Sequence, residues 1–270
     1  MKKNQELFVI PGFVGPPLEA VMVKWLTSLV PIWEERYSNH NPPPDGEWQR
    51  RLKRPVYWLG NWQFACLDYY HPPKGVLNRC VRAEPYPEFL SSLVGKMEAK
   101  IRASMGTPPG WHLNTCLINY YGKVEEDGRW VDVASVGEHR DYEPGPVASL
   151  SFGESALFQF VKSRSKGSRD AVVREHWLKN GEFQAFGGTF WKSEVFHRVQ
   201  RVKRNGGFQF PVVLHGVRIR RINLTFRFVP DEHIVDANRL PREVREDIVG
   251  YVRQLAQSSS HWRQQLPTLA

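Results

Sequence analysis

The sequence predicts an α+β chain, mainly β, with its helices gathered towards the two ends. Three observations carry this. Apolar residues recur near the helical period of about 3.6 in two early segments and one late one. Between them, a stretch of about 115 residues breaks into short β-rich runs separated by Gly, Pro and Asp turns, enough for two sheets packed as a sandwich. The sequence shows no internal repeat, P-loop or GxGxxG, which argues against chemistry dependent on ATP or NAD.

Leu7-Phe8-Val9-Ile10 reads as a strand. Pro16-Pro17 then opens a helix through Leu18, Val21, Met22, Trp25, Leu26 and Leu29, proline being tolerated in a first turn. Residues 39–54 are turn-rich. A second helix spans 86–104 with Phe89, Leu90, Leu93, Met97 and Ile101 on one face, and it ends at the Gly/Pro-rich 105–110. Strands are expected over 115–121, 130–135, 147–152, 157–161, 183–185, 189–191, 212–214 and 220–228, with a hairpin at Asp127-Gly128. A last helix over 241–256 aligns Val244, Ile248, Val252 and Leu255, and the tail from Ser258 reads as frayed.

Composition narrows the class. With 270 residues, 41% of them hydrophobic and 13% aromatic, the chain can bury a core without metal or disulfide staples. No run approaches the roughly 18 apolar residues of a membrane span, and the apolar run after Lys2-Lys3 stops at Pro11-Gly12, short of a signal-peptide core. Cys66, Cys80 and Cys116 lack CxxC spacing and fit a reducing compartment. A cytoplasmic protein is expected (nuclear in a eukaryote), not secreted and without a membrane partner. The net charge of +9 favours polyanions. Basic residues cluster at 50–54 beside Tyr57, Trp58 and Trp62, at Lys162, Arg164, Lys166 and Arg169, and at Arg198, Arg201, Lys203 and Arg204. Such interleaving suits a nucleic-acid backbone and a stacked base, or equally the solvated loops of a basic enzyme.

Two patterns carry chemistry. In Gly137-Glu138-His139-Arg140-Asp141-Tyr142-Glu143, His and Asp two apart in extended chain point to one side and can reach one metal ion. A distant second His would complete a facial set with open coordination positions; alone, HxD also arises by chance. In Arg221-Ile222-Asn223-Leu224-Thr225-Phe226-Arg227, alternation sets Arg221, Asn223, Thr225 and Arg227 on one face, against Ile222, Leu224, Phe226 and Phe228. Buried arginines need anions, which a dicarboxylate or acidic neighbours would supply.

Together, Asn119-Tyr120-Tyr121, His139–Glu143, Val147–Gly153, His197 and the Arg221–Arg227 string resemble the AlkB family of Fe(II)/2-oxoglutarate dioxygenases. The resemblance covers residues 111–229 well and 1–110 loosely. It implies a double-stranded β-helix, or jelly roll, within one catalytic domain over 1–270: helical support and a substrate lid in 1–110, the core in 111–229, and a C-terminal helix and tail in 230–270. It implies Fe(II) on His139, Asp141 and His197, with 2-oxoglutarate and dioxygen as cosubstrates. It also implies 2-oxoglutarate contacts from Arg221, Asn223, Arg227, Asn119 and Tyr121. By the same resemblance Glu143 falls where the family places an acidic residue beside the substrate base, and Trp58, Trp62, Tyr69 and Tyr70, in the region corresponding to the family's lid, are candidates to stack on a flipped base. The partner implied is alkylated DNA or RNA, dealkylated by a monomer with release of formaldehyde, succinate and CO2. The same chemistry on a protein side chain or small molecule is the alternative. The long spacing before His139 implies an inserted hairpin. The long spacing after His197 leaves His215 as a rival distal ligand, with His197 preferred because the Val195-Phe196-His197 context resembles the family's.

Overall fold

The computed structural model of the chain describes residues 6–35, 52, 54–63, 80–162, 172–200, 213–214 and 216–269. Strand β1 (Leu7–Ile10) and helix α1 (Pro16–Ser28) form as the patterns predict, with Pro in the first turn of α1 and Met22 and Leu26 buried. Strands β2 (Val56–Leu59), β3 (Asn61–Trp62) and β4 (Cys80–Arg82) precede helix α2 (Glu88–Ser104). Helix α2 buries Leu90, Leu93, Val94, Met97 and Ile101, one stripe at helical spacing.

The core strands follow: β5 (Thr115–Glu126), β6 (Arg129–Asp132), β7 (Val136–His139), β8 (Val147–Gly153), β9 (Ala156–Val161), β10 (Val172–Leu178), β11 (Phe183–Phe186), β12 (Phe196–Gln200), β13 (Val213–Leu214) and β14 (Val217–Arg227). An eight-stranded sheet runs β1-β11-β8-β14-β5-β2, with β13 added on β14 and β6 on β5. A four-stranded sheet runs β10-β9-β12-β7. Phe186 and Val147 of the large sheet pack with Phe158, Phe160 and Val199 of the small one, so the two antiparallel sheets face each other as a jelly roll. The other face of the large sheet buries Ile222, Leu224 and Phe226 in a core shared with Met22, Leu26, Leu93 and Met97. The Tyr120 hydroxyl donates to the Leu26 carbonyl across that contact.

The inserted hairpin is present: β5 and β6 are joined by Asp127 and Gly128, both at positive φ, as a two-residue turn of this twist requires. Gly122, in the long β5, lies where a Cβ would stand 2.0 Å from the Arg218 carbonyl oxygen, so only glycine lets β14 approach there.

Two expectations are corrected, and strands β2, β3, β4, β7, β10 and β12 form where none was expected. The strand expected at 189–191 is the start of a π-helical turn, Phe190–Glu194, because Trp191 packs edge-on against Phe160 and that packing outweighs β propensity. β10 went unpredicted because its mixed, half-exposed residues give no apolar alternation; pairing with β9 makes it a strand. The tail is not frayed. It forms helix α4 (Ser260–Leu269) after α3 (Arg242–Leu255), and its Trp262 lies edge-on to Trp62 with ring centroids 5.7 Å apart. No helix among the described residues is long and apolar enough to cross a membrane.

Beside that aromatic contact, the indole N–H of Trp62 donates to a buried carboxylate, Glu34 Oε1, at 2.7 Å. Burial raises the Glu34 pKa from 4.5 to about 7, against the lowering pull of the Trp62 and Trp58 indoles and Arg54. A folded-state pKa above the unfolded one means stability is fully present below about 4.5 and lost as pH rises through about 7. Glu34→Gln should abolish that loss, worth a few kcal/mol for a group this buried. Urea unfolding at pH 5 and pH 8 checks this: the pH difference should shrink in the variant, and an undiminished difference refutes it.

Candidate active site

β7 ends at His139, and β12 pairs with it in the register His197↔His139, which sets the two imidazoles side by side with ring centroids 4.2 Å apart. Asp141 follows two residues later. One donor atom from each of His139, Asp141 and His197 lies within 4.8 Å of the others, so the three could hold one metal ion. Two imidazoles and a carboxylate suit Fe(II) with open positions, and the set fits the ion that the sequence implies. His139 Nδ1 donates to the Gly137 carbonyl at 2.8 Å, leaving Nε2 as the ligand atom. The structure joins His197 to this group; the rival His215 lies outside the described residues.

Burial pulls both imidazoles below their ordinary pKa, His197 furthest, which keeps their ligand nitrogens free of protons. Burial alone would raise Asp141, but Arg227, His197 and Lys192 outweigh it and hold the carboxyl far below its usual range. Arg227 acts directly: its Nε and Nη2 lie 2.8 and 2.7 Å from Asp141 Oδ1, and its Nε lies 3.2 Å from Glu143 Oε1. Arg227, expected among the main cosubstrate contacts, is therefore engaged with these two carboxylates, because they are the buried anions within its reach.

The inner face of the large sheet forms rows across β5, β14 and β8. Tyr121, Arg221 and Gly153 make one; Asn119, Asn223 and Ser151 the next; Leu117, Thr225 and Ser149 a third. Arg221 Nη2 donates to Asn223 Oδ1 at 2.8 Å and to Ser151 Oγ at 3.0 Å. Its Nε and Nη1 are buried without a hydrogen-bond partner among the described residues. A guanidinium held by neutral groups, with two donors left over, is ready for a carboxylate.

Glu143, two residues after Asp141, is buried and its Oε1 accepts from Gln63 Nε2 at 3.1 Å. Its Oε2 has no partner among the described residues. The Lys192 ammonium, on the π-helical turn, is also buried without a hydrogen bond among the described residues; burial lowers its pKa against the pull of Asp141 and Glu143. Single π turns recur at functional sites, where the extra residue redirects a side chain.

Several expectations about substrate contacts fail. Trp58 and Trp62 are 1% and 0% exposed in the main core, so neither offers a face to a base. Alternate aromatics in a strand are packing here. Tyr69 and Tyr70 lie outside the described residues. Arg198, read as part of a basic surface cluster, is buried, with Nη1 2.6 Å from Glu138 Oε1 and Nε bonded to Gln159. Tyr142, between Asp141 and Glu143, is 64% exposed at this site, a place the motif alone did not mark. Gln63, Lys192 and Ser151 were also missed: an isolated amide, lysine or serine has no spacing signal, and only tertiary contact brings each here.

Fold and site together define a ferrous oxygenase of the jelly-roll type, built to bind an oxoacid. A family description, the 2OG-Fe(II) oxygenase superfamily, matches residues 6–227, and the chain belongs to that superfamily. Its cofactors are Fe(II), 2-oxoglutarate and dioxygen. The fold is similar to the structure of OsALKBH1, with a TM-score of 0.53 and 18% identity over 84% of this chain and 100% of that one, in keeping with the AlkB-like sequence pattern. A structure of YcfD, a ribosomal oxygenase from Escherichia coli, aligns with a TM-score of 0.37 and 11% identity over 93% of this chain and 54% of that one. No curated protein sequence matches the chain.

Two predictions follow from the charge arrangement. Mn(II), a redox-quiet stand-in, should bind at one equivalent by calorimetry. His139→Ala and Asp141→Ala should each weaken it at least about tenfold; unchanged affinity removes the triad. Arg227→Met strands two buried carboxylates and should lower unfolding free energy by roughly 3–5 kcal/mol. A loss below about 1 kcal/mol by denaturant titration would mean that the carboxylates are compensated elsewhere.

Proposed function

We propose that the chain oxidatively dealkylates N-alkylated nucleobases in DNA or RNA, with His139, Asp141 and His197 holding the iron and Arg221 holding the distal carboxylate of 2-oxoglutarate. Asn223, Asn119 and Tyr121 line that oxoacid pocket in this reading. Bound there, iron with 2-oxoglutarate and dioxygen supplies a two-electron oxidation of a C–H bond, with succinate and carbon dioxide as coproducts. Oxidation of an N-methyl group gives N–CH2OH; its C–N bond then breaks, the nitrogen takes the hydroxyl proton, and formaldehyde leaves.

Glu143 is the observation that carries the reading. It stands two residues from Asp141, is buried, and keeps Oε2 without a partner among the described residues. N-methylated adenine or cytosine can carry positive charge and an exocyclic N–H, and a buried carboxylate oxygen favours both over the neutral base. Gln63 holds the other oxygen, and so fixes the carboxylate's orientation. Arg227 ties Glu143 to Asp141, which couples the substrate side to the metal side within one ion-pair network.

A second reading, the same chemistry on a protein side chain or small molecule, draws on one observation. Arg54 and Arg198, from two of the three basic clusters, bond inside the protein to Asn119 and Glu138. That reduces the charge available to a phosphate backbone.

Formaldehyde release from single-stranded oligonucleotides carrying 1-methyladenine or 3-methylcytosine tests the first reading. Turnover on these and none on unmethylated oligonucleotide is expected. Absence of release, with intact Mn(II) and 2-oxoglutarate binding, favours the second reading. Glu143→Gln should lower turnover on methylated substrate about tenfold or more while leaving Mn(II) affinity unchanged. Equal loss of Mn(II) affinity would reassign Glu143 to the metal site.

A further inference from the structure

Arg54 belongs by sequence to a basic cluster beside aromatic residues, a pattern suited to a nucleic-acid backbone. Its position in the fold says otherwise. Its Nε donates to Asn119 Oδ1 at 2.7 Å, and its Cζ stands 5.3 Å from the centroid of the Tyr121 ring. The Arg221 Cζ stands 5.1 Å from the same centroid. Asn119 and Tyr121 are on β5, Arg221 is their neighbour on β14, and Arg54 precedes β2, which pairs Val56 with Asn119. One tyrosine ring therefore has two guanidiniums around it.

Neither guanidinium has a direct ion-pair partner among the described residues, although the buried Glu34 carboxylate, whose pKa Arg54 lowers, acts on Arg54 from a distance. The hydrogen bonds of Arg221 go to Ser151 and Asn223, and that of Arg54 goes to an amide oxygen; all are neutral partners. Two cations sharing one aromatic ring repel each other, and cation–π attraction of about 1 kcal/mol each offsets little of that. Such an arrangement is relieved by an anion that both can feel. With its oxygen committed to Arg54, the Asn119 side chain retains only its N–H2 for a further partner, which suits a carboxylate oxygen.

We infer that Arg54 is a second cation of the oxoacid pocket, orienting Asn119 and, with Arg221, selecting ligands whose far end carries a carboxylate. This rests on the reading of the Arg221 pocket as the 2-oxoglutarate site. Arg54 is a positioning and specificity residue in this account; Arg221 makes the direct clamp. The same charge would retain succinate, so the product should be a competitive ligand that loses affinity in step with 2-oxoglutarate when Arg54 is neutralised.

The test measures binding, apart from turnover, on the full chain loaded with Mn(II) under nitrogen. Calorimetry with 2-oxoglutarate, with succinate and with 2-oxopentanoate, which lacks the distal carboxylate, compares wild type with Arg54→Gln, Arg54→Lys and Arg221→Ala. Arg54→Gln should weaken 2-oxoglutarate and succinate about tenfold and leave 2-oxopentanoate within about twofold. Arg54→Lys, which keeps the charge, should recover most of the affinity, and this guards against a merely damaged fold. Oligonucleotide binding, followed by fluorescence anisotropy, should be unchanged in Arg54→Gln. Unchanged 2-oxoglutarate affinity in Arg54→Gln beside a loss in Arg221→Ala overturns the role of Arg54 and leaves the pocket standing. Equal weakening of 2-oxopentanoate, or loss of oligonucleotide binding instead, overturns the selectivity claim. Affinity that survives Arg221→Ala as well overturns the pocket assignment and this inference with it.

Discussion

The Arg227–Asp141 ion pair joins the two sheets at the point where the chemistry is placed. Arg227 is the last residue of β14 in the large sheet, and Asp141 follows β7 in the small one. A carboxylate this buried would take up a proton if left alone; the guanidinium beside it keeps it anionic and fixes which way its oxygens face. The position of His139, two residues before Asp141, and its registered partner His197 then follow from strand pairing. The metal-binding geometry is thus a consequence of one buried charge pair and one register.

Charge is distributed unevenly around that centre. The side bounded by Tyr121, Asn119 and Arg221 is rich in positive charge and neutral donors, with no carboxylate paired to its arginines among the described residues. A second group mixes Glu143, Lys192 and Gln63 around the shared Arg227. Low local dielectric amplifies this difference between the Arg221 group and the Glu143 group.

The aromatic residues do structural work away from this site. Trp62, Trp262 and Tyr251 meet edge to face, and Glu34 accepts the Trp62 indole N–H, so the C-terminal helices are tied to strand β3 and to the segment after α1. Their burial leaves Trp58 and Trp62 no face to offer a ligand. Tyr142, next to Asp141 in sequence, is exposed and has the freedom that those two lack.

Local periodicity was sufficient for α1, α2, α3 and for strands β5, β8, β9, β11 and β14, because each buries a stripe that a 3.6- or 2-residue repeat reveals, but not for β7 and β12, which carry the two histidines. It was also sufficient for HxD and for the alternating arginine strand, since two-residue spacing in an extended chain dictates a shared side. Edge strand β10, the π-helical turn and helix α4 were not legible; their conformations answer to partners distant in sequence, namely β9, Phe160 and Trp62. The same holds for roles within the site. Composition and spacing alone determined that this chain is basic and mostly β, with an HxD pair and an alternating arginine strand; the third ligand came only with the family resemblance. Only the tertiary structure decided that Arg227 serves the carboxylates, that Arg54 stands with Arg221, and that Gln63 and Lys192 face Glu143, because an ion pair between residues dozens of positions apart exists only once the sheets have closed.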